Sequence, residues 1–205
     1  AGIVDGLGAL VTEPAVGTRV VAVCDWGGLA EYITVGAQRC MALPATVSFE
    51  EAAVLPLAYG TAWYALADCA RLAAGETLLV LGAAGGVGLA AVQVGGLRGA
   101  RIVAAVSSED KALAARAAGA ATTVVLARAP LDAAARRALA ERLKAACGAG
   151  TAVVLDPVGG ECTEPALRTL RRGGRYVVAG FAAGIPSLPL NLVLLKQAVV
   201  MGAPW

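Results

Sequence analysis

The chain contains no histidine. Imidazole is the usual general base near neutral pH and a common neutral zinc ligand, so its absence removes the ordinary proton shuttle and the ordinary catalytic zinc site. Charge is scarce as well. Only 16% of residues are charged, seventeen basic against fifteen acidic, and they are scattered. No basic stripe interleaved with aromatics marks a nucleic-acid surface or an anionic-membrane surface, so neither partner is expected. The five cysteines, Cys24, Cys40, Cys69, Cys147 and Cys162, show no zinc-knuckle spacing, and an odd number does not close a disulfide framework. Reduced thiols, no bound metal and a cytoplasmic location are the expectation. A mitochondrial location is the alternative if the natural N-terminus lies upstream. The opening AGIVDGLGAL lacks a basic n-region, so no secretory signal is expected.

What the chain has in abundance is apolar surface. Hydrophobic residues make up 58% of it, largely alanine, valine and leucine, which demands burial and excludes a disordered chain. With 205 residues there is room for one large or two small domains. Two uncharged stretches, 77–97 and 176–195, are long enough to imitate membrane spans. The first is broken by glycines and Gln93 and the second by Pro186 and Pro189. Each therefore parses as a buried strand followed by loop or helix.

Residues 77–108 read TLLVLGAAGGVGLAAVQVGGLRGARIVAAVSS. Leu78 to Leu81 form the short apolar run that a parallel sheet buries on both faces. Ala83-Ala84-Gly85-Gly86-Val87-Gly88 follows, a dinucleotide fingerprint with alanine in place of its first glycine. Gly85 permits close approach of a pyrophosphate, Gly88 permits close packing of helix on strand, and the helix start offers unpaired N–H groups to an anion. The second strand, Ile102 to Val106, ends in Ser107-Ser108, with Lys111 one turn into the next helix. NAD sites carry a carboxylate roughly 20 residues past the glycines to hold the ribose hydroxyls. Two hydroxyls and an ammonium suit a 2′-phosphate instead, which favours NADPH. Ser108 also reads as a helix N-cap, and Glu109 and Asp110 remain alternatives that face the dipole or the ribose.

Along the rest of the chain, Ala1 to Val4, Arg19 to Cys24 and Ala30 to Val35 read as strands of an all-β opening. Ser48 to Glu51 is a capping box that starts a helix, which Pro56 interrupts and Tyr59 to Leu66 resumes. Strands are expected again at Thr122 to Leu126, Ala152 to Leu155, Tyr176 to Ala179 and Ala198 to Gly202, with helices between them. Leu131, Ala135, Leu139 and Leu143 share one face of a helix over 131–146, and Asp132 and Arg136 are spaced to pair on the other. Six strands alternating with helices from Thr77 onward predict an α/β fold, a doubly wound parallel Rossmann sheet.

The segments GTRVVAV, GGLAEYITV, SFEEAAVLPLAYGTAW, GETLLVLGAAGGVGLAAVQ, SSEDK, LDPVGG and GRYVVAGFAAGIPSLPLNLVLLKQAVVMG occur in this order. Together they resemble the zinc-free quinone oxidoreductases, the zeta-crystallin-like branch of the medium-chain dehydrogenase/reductase superfamily. The closing MGAPW resembles the quinone-oxidoreductase-like subgroup. The resemblance implies a partial GroES-like catalytic domain over 1–50 and an NADPH-binding Rossmann domain over 51–205. It also implies pyrophosphate contacts at Ala84, Gly85, Gly86, Val87 and Gly88, and a 2′-phosphate at Ser107 and Lys111. The nicotinamide would lie near Thr61, Gly180 and Phe181, and the adenosine near Val158 and Gly159. No catalytic acid or base is identified.

The function so implied is zinc-independent hydride transfer from NADPH to a small molecule, a quinone or an activated alkene or enone. The cofactor carries that chemistry, so the missing histidine is no objection. Family members carry a longer GroES-like domain and further strands that return to it, so the expectation is a chain truncated at both ends. A catalytically inactive NADPH-binding or sensing protein is the alternative. The sixth strand, 198–202, belongs at an edge of a doubly wound sheet and has no lysine or proline inside it, which together with the resemblance implies a homodimer through that strand.

Overall fold

Apolar runs of this length leave no polar face, so they must be sandwiched between two layers of helix. A computed structural model describes residues 1–126 and 130–205 and shows that arrangement. Among the described residues, a six-stranded sheet is built from β4 (Thr77–Leu81), β5 (Arg101–Val106), β6 (Thr122–Val125), β7 (Thr151–Asp156), β8 (Leu170–Val178) and β9 (Val199–Gly202). Its order is β6-β5-β4-β7-β8-β9, every pair parallel. Successive side chains alternate between the faces. Leu78, Val80, Ile102, Ala104, Val153 and Leu155 enter one core with Ala90, Ala91 and Val94 of α2 (Gly86–Leu97) and Ala112 and Ala115 of α3 (Glu109–Ala117). Leu79, Leu81, Val103, Ala105, Val154 and Tyr176 enter the other. Their partners are Leu139 and Leu143 of α4 (Ala133–Cys147) and Ala166 and Leu167 of α5 (Thr163–Thr169). β4 sits in the middle, its successor β5 on one side and β7 on the other. The strand order reverses there, which opens a crevice at the carboxyl ends of the strands.

Close packing explains two glycines that local propensity disfavours. Gly95 lies inside α2, where glycine costs about 1 kcal/mol relative to alanine, but a Cβ there would stand 2.8 Å from Leu78 Cδ2. Gly60 lies inside α1 (Phe49–Trp63), and a Cβ there would overlap the indole of Trp205. Tyr64 tilts against the same indole with ring centroids 5.9 Å apart.

Several expectations are corrected. The opening part is a three-stranded antiparallel sheet, β1 (Gly2–Ile3), β2 (Arg19–Ala22) and β3 (Cys40–Ala42). The expected strand over 30–35 does not form. Cys40, Met41 and Ala42 take the open edge of β2 opposite Ala22, Val21 and Val20, and alternation in a sequence does not say which segment reaches an edge first. Helix α1 runs through Pro56 without a break and continues as a π-helical turn, Tyr64–Cys69. One missing backbone bond is outweighed by the burial of Ala62, Ala65 and Leu66 beyond it. The capping box forms: Glu51 N donates to Ser48 Oγ at 3.1 Å and Ser48 N to Glu51 Oε2 at 3.0 Å. Asp132 does not pair with Arg136. Its carboxylate caps α4 by accepting from Ala135 N at 2.7 Å, while Arg136 turns to Leu131 O and Glu161. The chain divides into two compact units, Ala1–Leu57 and Ala58–Trp205.

Candidate functional site

The parallel register brings the ends of β4, β5, β7 and β8 to one edge, since Leu81 pairs with Ala105, Val80 with Leu155 and Asp156 with Val178. Every proposed contact except Thr61 follows one of those strand ends. The glycine turn comes first. Gly82 takes a positive φ of 60°, a conformation that L side chains resist, and Ala83 N donates to Ala105 O, tying the turn to β5. Gly85 is the extended N-cap of α2, and Gly86, Val87 and Gly88 form its first turn, whose N–H groups have no acceptor within the helix. Gly85 and Gly86 are exposed, Ala84 and Val87 half-buried and Gly88 buried. A Cβ on Gly88 would strike the Gly82 carbonyl and stand 2.7 Å from Ala83 Cα. The expected packing role of Gly88 is therefore visible in the geometry. The sharp bend falls on Gly82, just ahead of the alanine that replaces the fingerprint's first glycine.

At the end of β5, Lys111 Nζ lies 2.9 Å from Ser107 Oγ, both exposed. Ser108 caps α3 by accepting from Lys111 N. The capping role of Ser108 and the Ser107–Lys111 pair are compatible, because the cap uses the lysine's backbone and the pair its ammonium.

The wall after β7 is organised by a residue that the motif reading passed over. Asp156 is 1% exposed. Its Oδ1 accepts from Val158 N at 2.8 Å and Gly159 N at 2.7 Å, and its Oδ2 from Thr163 Oγ1 at 2.8 Å and the Tyr176 hydroxyl at 2.7 Å. Burial, then the charge of Asp156, pushes the Tyr176 phenol well above its ordinary value, so it remains a donor. Burial also raises the Cys162 thiol, with Asp156 and Glu161 adding to the effect. Val158 Cγ2 would stand 2.7 Å from a Cβ on Gly82, so this loop rests on the glycine turn. On its other side Ala183 N donates to Val158 O at 2.7 Å and Gly160 N to Gly184 O at 2.8 Å. Gly180 is half-buried and Phe181 half-exposed in the turn so held. Thr61 is buried in α1, and the neighbouring Ala58 Cβ lies 4.0 Å from where a Cβ of Gly86 would be. Strand register and loop contacts thus bring the glycine turn, the Ser107–Lys111 pair and the 157–160 and 180–184 turns to one edge of the sheet. The two that sequence reasoning missed, Gly82 and Asp156, differ in kind. Gly82 was adjacent to the motif, whereas Asp156 is recognised only through partners that β8 and α5 bring to it.

A family model described as zinc-binding dehydrogenase matches residues 86–205. Quinone oxidoreductase-like protein 2 of Bos taurus is 38% identical over 206 residues, covering 100% of this chain and 57% of the relative. The quinone oxidoreductase of Thermus thermophilus, whose structure was solved alone and with NADPH, superposes with a TM-score of 0.77 at 35% identity, over 95% of this chain and 58% of that one. The CurK enoyl reductase superposes at 0.80 with 30% identity, over 98% and 58%. The chain thus spans little more than half the length of the bovine relative and of these structures. A six-stranded parallel sheet, a glycine turn at its switch point and a family match over more than half of the sequence agree: the chain belongs to the zinc-binding dehydrogenase family, as a quinone-oxidoreductase-like member of the medium-chain dehydrogenase/reductase superfamily.

Proposed function

We propose that this chain carries the coenzyme site of an NADPH-dependent oxidoreductase that reduces a quinone or an activated alkene. The observation that carries the reading is the Lys111 ammonium against the Ser107 hydroxyl at the end of β5, the strand to which the glycine turn is tied. A carboxylate in that place would select an unphosphorylated ribose; a cation and a hydroxyl favour the 2′-phosphate. Ala84 to Gly88 would hold the pyrophosphate, Val158 and Gly159 the adenosine, and Thr61, Gly180 and Phe181 the nicotinamide. Bound NADPH supplies a hydride, and the chain's part is to orient it and exclude water. The likeness to the Thermus quinone oxidoreductase and the CurK enoyl reductase supports the acceptor class, since both names describe conjugated, electron-poor acceptors.

Zinc does not fit. The sequence has no histidine, and no cluster of three or more ligating side chains occurs among the described residues. No step is assigned to a metal. No helix among the described residues is long and apolar enough to cross a membrane. The five free cysteines support a reducing compartment such as the cytoplasm.

Calorimetric titration with NADPH and NADH, run beside NADPH consumption with an ortho-quinone and with a simple enone, tests the proposal. NADPH is expected to bind more tightly than NADH and to be consumed. Binding without turnover would favour a second reading, a nucleotide-binding or sensing protein, which the partial coverage of the relatives supports. Equal affinity for the two coenzymes would overturn the assignment of Lys111.

We also propose a homodimer through β9. That strand is at the sheet edge, with Val199 exposed and Leu190, Leu194 and Leu195 of α6 (Leu190–Lys196) exposed just before it. A two-fold partner would pair the free edge and cover the leucines. Light scattering of the parent chain is expected to give a dimer, and Val199→Lys a monomer. An unchanged dimer in the variant would exclude this edge.

A further inference from the structure

Asp156 is a buried carboxylate at the carboxyl end of β7, and it accepts four hydrogen bonds. Two come from consecutive amides of the following loop and two from hydroxyls on α5 and β8. A buried carboxylate is tolerable when its oxygens are saturated in this way. The effect on the loop is more specific than stability. Gly159 is held at a φ of 70°, and a Cβ there would stand 2.5 Å from Gly184 O. The carbonyls of Pro157 and Val158 accept from Ala182 N and Ala183 N, and a Cβ on Gly180 would meet Pro157 O at 3.0 Å. The loop is therefore pinned from below by one carboxylate. It bears on the Gly82 turn through Val158 and on the 181–184 turn through its backbone.

We propose that Asp156 is a positioning residue for the coenzyme: its carboxylate fixes the 157–160 loop as a rigid wall against which the nucleotide is bound. This rests on the nucleotide-site reading above. The side chain touches neither the proposed pyrophosphate turn nor the solvent; it acts through Val158 and Gly159. One oxygen serves the loop while the other is anchored to Thr163 and Tyr176, so the loop's height above the sheet is set by α5 and β8. A loop held only by its flanking strands would have to be ordered by the ligand, at a cost to affinity.

The test compares Asp156→Leu, Asp156→Asn and Thr151→Val in the full chain. Thr151 is buried at the opposite end of β7, where its hydroxyl bonds Thr169 Oγ1, so its variant reports general loss of a buried polar group. Amide exchange of Val158, Gly159, Gly160 and Ala183 is read against that of β4 and β5, and NADPH affinity is measured by calorimetry. Asp156→Leu is expected to speed loop exchange selectively and to weaken NADPH by about tenfold or more, the consequence of orphaned buried amides. Asp156→Asn keeps an oxygen for the two amides and offers its NH2 to hydroxyls that can turn to accept. It is expected to restore loop protection and to hold affinity within about threefold of the parent. Thr151→Val should do neither. If Asp156→Leu does not fold, the double variant Thr163→Val/Tyr176→Phe leaves the carboxylate in place but unanchored, and selective loosening of Val158 and Gly159 is expected there too. Uniform loss of protection, or loop exchange and affinity unchanged in the variants that fold, overturns the proposal. Should the parent bind no NADPH, the nucleotide reading falls with it, and the exchange data alone still decide whether Asp156 holds the loop.

Discussion

In Ala1–Leu57 the buried apolar side chains are Val20, Val21 and Ala52, whereas Ala58–Trp205 buries both faces of its central strands. Both regions are rich in hydrophobic residues. In the first, Leu10, Trp26, Leu29 and Tyr32 stand exposed around three short strands. In the second, two helical layers close on one sheet. Apolar composition becomes stability only where a second layer covers it, and about 25 cal/mol per Å² is gained for the area actually removed from water.

The sharpest way to break that comparison is amide exchange across the two regions. Backbone amides of β2 are expected to exchange about a thousandfold faster than those of β4, because local opening free energies follow buried contact. Equal protection would show that the opening unit is stabilised by something other than its own core. Next in size is a pair of substitutions in the glycine turn. Gly88→Val drives a side chain into backbone that cannot yield and should cost about 3 kcal/mol in a denaturant titration. Gly85→Val has an ordinary φ of −81° and only the Gly82 carbonyl, 3.4 Å away, to meet. It should fold and yet lose NADPH binding. Equal stability of the two variants would separate the fold from the turn.

Lys111→Ala should weaken NADPH by about tenfold and leave NADH unchanged, the worth of one charge-assisted contact; parallel loss of both coenzymes would remove Lys111 as the reader. The smallest effect concerns Glu76, which bonds Arg175 at 2.6 Å and 2.9 Å and Arg171 at 2.6 Å at the far end of the sheet. The hydrogen bond from Arg175 holds its carboxyl below the usual glutamate range. A carboxyl lowered in the folded state adds stability that is present above the unfolded pKa and lost as pH falls through the folded one. Glu76→Gln should therefore lower stability by about 1 kcal/mol at neutral pH, after screening, and by nothing once both forms are acidified. NADPH affinity should not change.

The parts of this fold that could be read from the chain are those governed by local rules. Leu78 to Leu81 and Ile102 to Val106 announce buried strands because no charge interrupts them, and Ser48 to Glu51 announces its cap because both partners lie within one turn. Ala30 to Val35 alternates as a strand does and forms none, because pairing depends on which edge is vacant. Pro56 fails to stop its helix and Gly95 sits inside another, each for packing reasons supplied by distant residues. At the crevice, Gly85, Gly88, Ser107 and Lys111 were visible as a spacing. Asp156 was not, since Tyr176 reaches it only after β7 and β8 have paired.

The central place of β4 has a consequence for how the molecule comes into being. Its first neighbour, β5, follows closely in the chain, but its other neighbour is β7, with Leu78 opposite Val153. A ribosome delivers β4, β5 and β6 before β7 exists, so a half-sheet can assemble with the middle strand's second edge still open. Contacts of such long sequence separation are slow to form, and an unpaired apolar edge in the interval is prone to aggregation. The strand that carries the glycine turn is thus half-covered until a partner made later arrives, and the interval before β7 pairs with it is when aggregation is expected.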